Sequence, residues 1–388
     1  MEFFTYHNPT ELLFGKGAET RISEVLVKDF GAKKALILFG KGSAKRTGLL
    51  DRVEASAKEA GLEFVELGGV QPNPTIEFVR EALEVARKEK VDSVIAVGGG
   101  SVIDTSKTVA AAFDYEGDPW DFFTGAATPT KAILPLGVVL TIPAAGSEQS
   151  KRAVITNGDK KIGMGNDFLR PKVSAINPEL FFTLPANQIA AGVFDMMSHI
   201  MERYFTKTPN VEFTSTEAEG ALRVIMKNAL LLKANPKDYD AWAEVALAGT
   251  FAHCGFFGMG HVEDWACHGM EHALSGWKPT ITHGAGLAIL TPAWMRYVWA
   301  EDPKRFVRFA VNVMEVTPLE NDEATIQLGI AKLCAFIQEM GLPTAIHELT
   351  TDKPDLDLLA SLSYGKGHLG GFKKLKPEDA KRIFEAVI

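Results

Sequence analysis

Residues 91–113 read VDSVIAVGGGSVIDTSKTVAAAF, and no other stretch narrows the fold as far. The run before the glycines is short and almost wholly apolar. Such a strand is buried on both faces, a condition met in a parallel sheet covered by helices. Three glycines follow, and a helical pattern begins at once. The same order recurs upstream: AKKALILFG ends at Gly40 and a helical segment runs through LLDRVEASAKEAG. LEFVELGG then reads as a strand and IEFVREALEVARKEK as a helix. This alternation predicts an α/β domain with a parallel, Rossmann-like sheet.

Near residue 185 the rhythm changes. From LPANQIAAGVFDMMSHIMERYF onward the pattern is helical, as in TSTEAEGALRVIMKNALLLKA and EATIQLGIAKLCAFIQEMG, where apolar residues return every three or four positions. The expected division is an α/β dinucleotide-binding domain over 1–185 and an all-helical metal and substrate domain over 186–388. A chain of 388 residues suits two domains, and no repeat or low-complexity linker separates them.

Charge and cysteine content narrow the partners. A formal net charge of -8 argues against a nucleic-acid surface, which needs a basic face. No apolar run approaches the roughly 20 residues of a membrane span, and the N-terminus lacks a secretory pattern. Three cysteines without a CxxC fit a reducing cytoplasm rather than a disulfide scaffold. A small-molecule partner is the remaining expectation.

Gly98, Gly99, Gly100 and Ser101 lie between a strand and a helix. Glycines let backbone N–H groups approach a phosphate closely, and the helix start adds its positive dipole end. Asp104 and Lys107 are placed to cap the helix and hold the loop. A tight β–α turn without a ligand is the alternative. The pattern is neither GxGxxG nor a P-loop. A second glycine turn, FGKGSAKRTG at 39–48, carries Gly40, Gly42, Ser43, Lys45 and Arg46 and no acidic residue. The loop after an early strand commonly meets the adenosine ribose. Two cations and no carboxylate suit a 2′-phosphate, so NADP(H) is expected over NAD; a solvated basic turn is the alternative.

Asp195 and His199 are four apart, which on a helix sets them on one face about 6 Å apart at Cβ. His268 and His272 repeat the spacing, and His283 follows a Trp-Lys-Pro loop. Six of the nine histidines fall between 199 and 283, a crowding that scatter explains poorly. A carboxylate with imidazoles and no thiolate suits Fe(II) or Zn(II). His253, His261, Glu263 and Asp264 are read as lying behind the ligands or on the surface; His7, His347 and His368 have no partner in sequence. Trp265, Trp277 and Phe256 suggest an apolar pocket, with core packing as the alternative.

Taken together, TELLFGKGAE, PNPT at 72–75, GGGSVIDTSK, TIPAAGSE, INPELFFTLP, FDMMSHIMERYF and HGMEHALSGWKPTITHGAGLA resemble the iron-containing (group III) alcohol dehydrogenases over nearly the whole chain. The resemblance implies an N-terminal α/β nucleotide domain and a C-terminal helical domain, an architecture shared with dehydroquinate synthase. It implies metal ligation by Asp195, His199, His268 and His283, with His272 beside substrate and nicotinamide as a proton relay. It places the pyrophosphate at residues 98–101 and aligns Asn73, Thr141 and Lys161 with the cofactor. The turn at 40–46 resembles the NADPH-preferring branch of butanol dehydrogenases and aldehyde reductases, and a homodimer is implied.

Two departures stand out. The usual TGSE is AGSE here, so position 145 lacks a hydroxyl that Ser147 or a water would have to replace. The stretch between His272 and His283 is about one residue longer than is common, which bears on the delivery of His283. The resulting expectation is reversible hydride transfer between NADP(H) and a primary alcohol/aldehyde pair such as butanol and butanal. An NAD-dependent polyol dehydrogenase of the same fold, a metal-dependent hydrolase and a non-enzymatic nucleotide-binding protein are the rivals. Dehydroquinate synthase chemistry would need further basic side chains that the sequence lacks.

Overall fold

The computed structural model describes all residues except 131, 132, 365 and 366. The chain divides into two compact units: His7–Thr183, and Leu184–Ile388 together with Met1–Tyr6. The sequence-based division put the first six residues with the α/β part. Their bonds explain their place: the Met1 amino group donates to the Pro209 carbonyl (2.6 Å) and the Glu2 N–H to the Gly260 carbonyl (3.0 Å).

His7–Thr183 is built on a six-stranded sheet. Its strands are β1 (Glu11–Phe14), β2 (Lys34–Gly40), β3 (Glu63–Val70), β4 (Ser93–Gly98), β5 (Leu136–Leu140) and β8 (Val173–Ile176), in the order β1-β8-β5-β4-β2-β3 with every adjacent pair parallel. A small antiparallel hairpin, β6 (Arg152–Asn157) with β7 (Lys160–Gly165), stands apart. Helices α1 (Ile22–Phe30), α2 (Ser43–Arg46), α3 (Leu49–Glu59), α4 (Ile76–Glu89), α5 (Gly100–Ala112) and α6 (Asp121–Thr124) complete the unit. β4, β5 and β8 are buried at every position, as their unbroken apolar runs require. Ile37, Phe39, Ile95, Val97 and Val139 pack in one cluster with Ile22 and Leu26 of α1 and Leu50 and Val53 of α3. Each such side chain contributes about 1.5–3 kcal/mol by leaving water.

The connectivity decides where a ligand can sit. From β2 the chain moves outward to β3, then returns to place β4 on the other side of β2. In open α/β sheets a crevice opens at such a reversal, outside the carboxyl ends of the strands. Phe39 of β2 is in register with Val97 of β4, so the two glycine turns leave neighbouring strands at the same level.

The second unit is helical: α7 (Ala186–Tyr204), α8 (Glu212–Ala234), α9 (Tyr239–Phe251), α10 (Ala266–Trp277), α11 (His283–Val298), α12 (Pro303–Asn312), α13 (Asp322–Glu339), α14 (Leu356–Leu362) and α15 (Pro377–Glu385). α7 is its central helix, buried at every position from Ile189 to Tyr204. That burial includes Asp195, Ser198, His199, Glu202 and Arg203, a polar stripe at three- and four-residue spacing inside a core helix. Buried polar groups need partners, so the stripe marks where α7 does more than pack. No helix among the described residues is long and apolar enough to cross a membrane.

Candidate active site

The glycine turn after β4 leads straight into α5. Gly99 is the N-cap, and the helix start carries no side-chain cap and no acidic residue in its first turn. Its dipole end is thus left for an anion rather than for the chain's own carboxylate. Close packing explains two of the glycines: a Cβ on Gly98 would lie 2.3 Å from Val102 Cγ2, and one on Gly99 would lie 3.2 Å from Ile142 Cβ. A Cβ on Gly100 would meet nothing within 4 Å, so this position opens onto space. Residues and turn fit a pyrophosphate.

The other residues aligned with a cofactor gather at the same edge of the sheet. Thr141 follows β5 and donates its N–H to the Gly98 carbonyl (3.1 Å). Asn73, in the loop after β3, has a left-handed backbone (φ 53°) that asparagine tolerates better than most residues. That loop pairs with the hairpin through Thr75 and Thr156, and Thr156 is opposite Lys161 in β7. After β2, Gly42 (φ 125°) turns the chain into α2, which begins at Ser43 and includes Lys45 and Arg46. Lys45 is paired with Glu66 of β3 (3.4 Å), so an acid the turn itself lacks comes from the neighbouring strand.

Asp104 and Lys107 do not cap α5 as expected; they anchor it. Lys107 Nζ donates to the Ser147 carbonyl (2.7 Å), Ser147 Oγ (2.9 Å), Ser150 Oγ (3.2 Å) and the Arg152 carbonyl (2.7 Å). Asp104 accepts from Ser147 Oγ (2.6 Å) and the Val154 N–H (2.9 Å). They lie one and two turns inside the helix, bonding the segment at 147–154 rather than capping its N-terminus. Burial pushes the Lys107 ammonium down to about 8, with Asp104 opposing, and burial pushes the Asp104 carboxyl up. The Ser147 hydroxyl is therefore engaged on both sides and does not stand in for the hydroxyl missing at Ala145.

In the helical unit, α7 presents Asp195 and His199, α10 presents His268 and His272, and α11 opens on His283. Donor atoms of Asp195, His199 and His268 all lie within 4.8 Å of one another, and all three residues are buried. His199 Nε2 is 3.4 Å from Asp195 Oδ1, and His283 Nε2 is 3.9 Å from the same oxygen. The longer loop before His283 thus still brings its ring to Asp195. The contact of α7 with α11 is close: a Cβ on Gly284 would lie 2.0 Å from the Ala191 carbonyl oxygen. Burial first, then the neighbouring histidines and Arg203, holds the His199 imidazole well below its usual pKa. A neutral imidazole offers a lone pair, so this donor set fits a divalent cation.

His272 stays half-buried beside this group, its ring 5.6 Å from that of His283 and 6.5 Å from that of His268. Trp265 forms a wall, edge-on to His268 (5.1 Å) and His199 (5.7 Å), and holds a left-handed backbone (φ 72°). Such a conformation is costly for a bulky residue and concentrates at functional sites. Among the described residues, no ring contact joins Phe256 to these histidines. Phe256 packs with Tyr6, Phe213, Phe251 and Phe257 in a separate aromatic cluster.

His253, His261, Glu263 and Asp264, expected behind the ligands or on the surface, make structural bonds. His261 bonds Thr214 Oγ1 (2.6 Å) and the Arg203 carbonyl (2.7 Å), and His253 bonds Arg203 Nη2 (2.8 Å). Glu263 accepts from the Trp265 indole (2.6 Å). Asp264 accepts from the N–H groups of Ala266 (2.8 Å), Gly371 (3.0 Å) and Phe372 (2.7 Å).

Two buried carboxylates went unnoticed in the sequence, Glu202 and Glu271. Glu202 Oε1 lies 3.1 Å from His268 Nδ1, and Glu271 Oε2 bonds His283 Nδ1. Their spacing was a signal: Glu202 follows His199 by three on α7, and Glu271 follows His268 by three on α10.

Comparison with known proteins agrees with this architecture. Residues 9–178 match the family model for iron-containing alcohol dehydrogenase, and residues 189–388 match the C-terminal model of the same family. The chain is 39% identical to the probable NADH-dependent butanol dehydrogenase 1 of Bacillus subtilis and 36% identical to the NADPH-dependent aldehyde reductase YqhD of Escherichia coli, covering all of each chain in both cases. The crystal structure of NADH-dependent butanol dehydrogenase A from Thermotoga maritima superposes with a TM-score of 0.95 at 41% identity, covering 100% of this chain and 99% of that one. This chain belongs to the iron-containing alcohol dehydrogenase family.

Proposed function

We propose that the protein reversibly transfers a hydride between NADP(H) and a primary alcohol/aldehyde pair of the butanol/butanal type. The observation that carries the reading is the convergence of Asp195, His199, His268 and His283 from three helices, in a chain that also has an uncapped glycine turn at the carboxyl edge of a parallel sheet. Those four residues would hold Fe(II) or Zn(II). Such an ion supplies Lewis acidity toward an alcohol or carbonyl oxygen. The nicotinamide supplies the hydride chemistry.

The chain's own residues do the rest. The first turn of α5 receives the pyrophosphate on backbone N–H groups; Asn73, Thr141 and Lys161 line the cofactor. Trp265 shields one side of the histidine group from water. A ring nitrogen of His272, half-buried and next to His283, carries the alcohol proton to or from solvent. Lys45 and Arg46 at the turn after β2 favour the 2′-phosphate, although Glu66 shares the charge of Lys45. The relatives named above divide on this point, two being named for NADH and one for NADPH.

Loss of NADPH absorbance with butanal, abolished by chelation and restored by Fe(II) or Zn(II), is the expected result. No turnover with any aldehyde after metal reloading would sink the reading. Metal analysis of anaerobically purified protein identifies the ion. The family resemblance favours a homodimer, and a monomer mass by light scattering would remove that part.

A further inference from the structure

We propose that Glu202 and Glu271 are the positioning residues of the metal centre: each accepts the Nδ1–H of one ligand histidine, His268 or His283, and so commits Nε2 of that ring to the metal. The inference rests on the ligand set proposed above.

An imidazole that binds a metal through one nitrogen carries a proton on the other, and that N–H needs an acceptor which fixes the ring's tautomer and rotation. Both rings meet a carboxylate on the same atom. His268 Nδ1 is 3.1 Å from Glu202 Oε1, and His283 Nδ1 bonds Glu271 Oε2. Both carboxylates are buried, Glu271 completely. With Nδ1 engaged, His283 Nε2 is the nitrogen that faces Asp195, at 3.9 Å.

The carboxylates are themselves held. Glu202 Oε1 also accepts the His268 N–H (2.9 Å). It therefore caps the start of α10 from α7, where Trp265 at the N-cap offers no side-chain bond. One oxygen thus sets the position of the backbone and the rotation of the ring at residue 268. Glu202 lines a small cavity with Ser198, Thr291 and Trp294, whose polar atoms, like Glu202 Oε2, are buried. Glu271 has room because position 286 is glycine. A Cβ there would lie 2.9 Å from Glu271 Cγ and 3.3 Å from Oε1.

Donor atoms of Glu271, His272 and His283 also fall within 4.8 Å of one another, so Glu271 could instead be a ligand. The two arrangements differ in what occupies His283 Nδ1, a proton or a metal. That nitrogen decides between them.

The test has two readouts apart from turnover. Histidine-selective 15N NMR of the intact Zn(II)-loaded wild-type protein reports each ring's tautomer without any substitution. The expected spectrum has His268 and His283 protonated at Nδ1 and metal-bound at Nε2, assigned in the wild-type protein from ring-to-backbone correlations. Metal on Nδ1 of either ring overturns the proposal. The second readout is Co(II) affinity and d–d absorption, measured against a competing chelator. Replacing Glu202 or Glu271 by Ala should weaken Co(II) binding roughly 10–100-fold and shift the band. E202Q and E271Q, which keep an acceptor oxygen, should stay within a few-fold of wild type. Should an alanine variant fail to fold, G286A replaces it for Glu271, displacing that side chain while raising helix propensity. Wild-type affinity and spectrum in E202A, E271A and G286A, with H268A and H283A still losing metal, overturn the positioning roles and leave the ligand set standing. Undiminished binding in H268A and H283A as well overturns both.

Discussion

The two sites are made of different material. At the carboxyl edge of the sheet the chain offers backbone: three glycines, a helix start without a side-chain cap, and a threonine whose N–H is already spent on Gly98. In the helical unit the offer is side chains, with Asp195, His199, His268 and His283 drawn from three helices and two further carboxylates behind them. A backbone site survives substitutions that preserve the turn, because every residue except proline has an N–H. A side-chain site fails with the loss of one atom group. The consequences of mutation should therefore be steep in one unit and graded in the other.

The steepest effect is expected at His268. His268→Ala removes a buried donor and should abolish stoichiometric metal together with activity. The loss of the Lewis acid, worth several kcal/mol, corresponds to roughly a thousandfold or more in kcat/KM. Metal content and turnover measured on the same preparation check this, and full metal retention would take His268 out of the ligand set.

Gly284→Ala comes next. The added methyl would overlap the Ala191 carbonyl, so α11 must move off α7, at a cost of about 1–3 kcal/mol by overpacking. Because α7 carries Asp195 and α11 begins with His283, the shift should also weaken metal binding. Thermal unfolding with and without chelator separates the two effects. A stability equal to wild type would show that the helices tolerate separation.

How much of this was legible in the sequence follows from the same contrast. The parallel sheet could be read because β2 is buried along nearly its whole length and β4 at every position, which forces the unbroken apolar runs. Asp195 and His199 could be grouped because helical spacing is local. Their meeting with His268 and His283 spans some seventy residues, and no local period records it; the crowding of histidines pointed to a metal, and the family resemblance supplied the four ligands. Asp104 and Lys107 were misread as caps for that reason. Their partners, Ser147, Ser150, Arg152 and Val154, lie forty to fifty residues on. Glu202 and Glu271 drew no reading from the sequence, since nothing in composition distinguishes a buried glutamate from a solvated one. The first six residues joined the helical unit through backbone bonds that carry no sequence pattern at all.

Lys107 tests whether the backbone site is truly independent of side chains. It ties α5, and so the glycine turn, to the segment leading into β6. Its ammonium is lowered to about 8 by burial, against 10.5 as a free side chain. Between those values the unfolded chain holds a proton that the folded chain has released. Stability contributed by this group should therefore rise with pH across that window, by at most about 1.4 kcal/mol per pH unit, and the cost of burying the cation is fully present below it. Unfolding free energy measured from pH 7.5 to 10 should climb more steeply in wild type than in Lys107→Met. Parallel curves would show that the lysine does not titrate there.

The smallest effect belongs to the rim of the nucleotide turn, where side chains only tune a backbone site. Ser43 opens α2 directly after Gly42, and Lys45 and Arg46 follow within one turn. Ser43→Asp places a carboxylate where a 2′-phosphate is expected, and a free 2′-hydroxyl would donate a hydrogen bond to it. Coulomb repulsion at a solvated rim is of the order of 1 kcal/mol, so the NADPH/NADH ratio of kcat/KM should fall by up to about tenfold. Residue 43 is exposed, so the melting temperature should barely move. The ratio is the informative quantity, because a general loss of activity would lower both cofactors alike. An unchanged ratio would show that this turn is not the ribose site. Removing the opposing acid is the converse test. Glu66→Gln frees Lys45 of its counter-charge and should move the same ratio toward NADPH, which a turn remote from the ribose could not do.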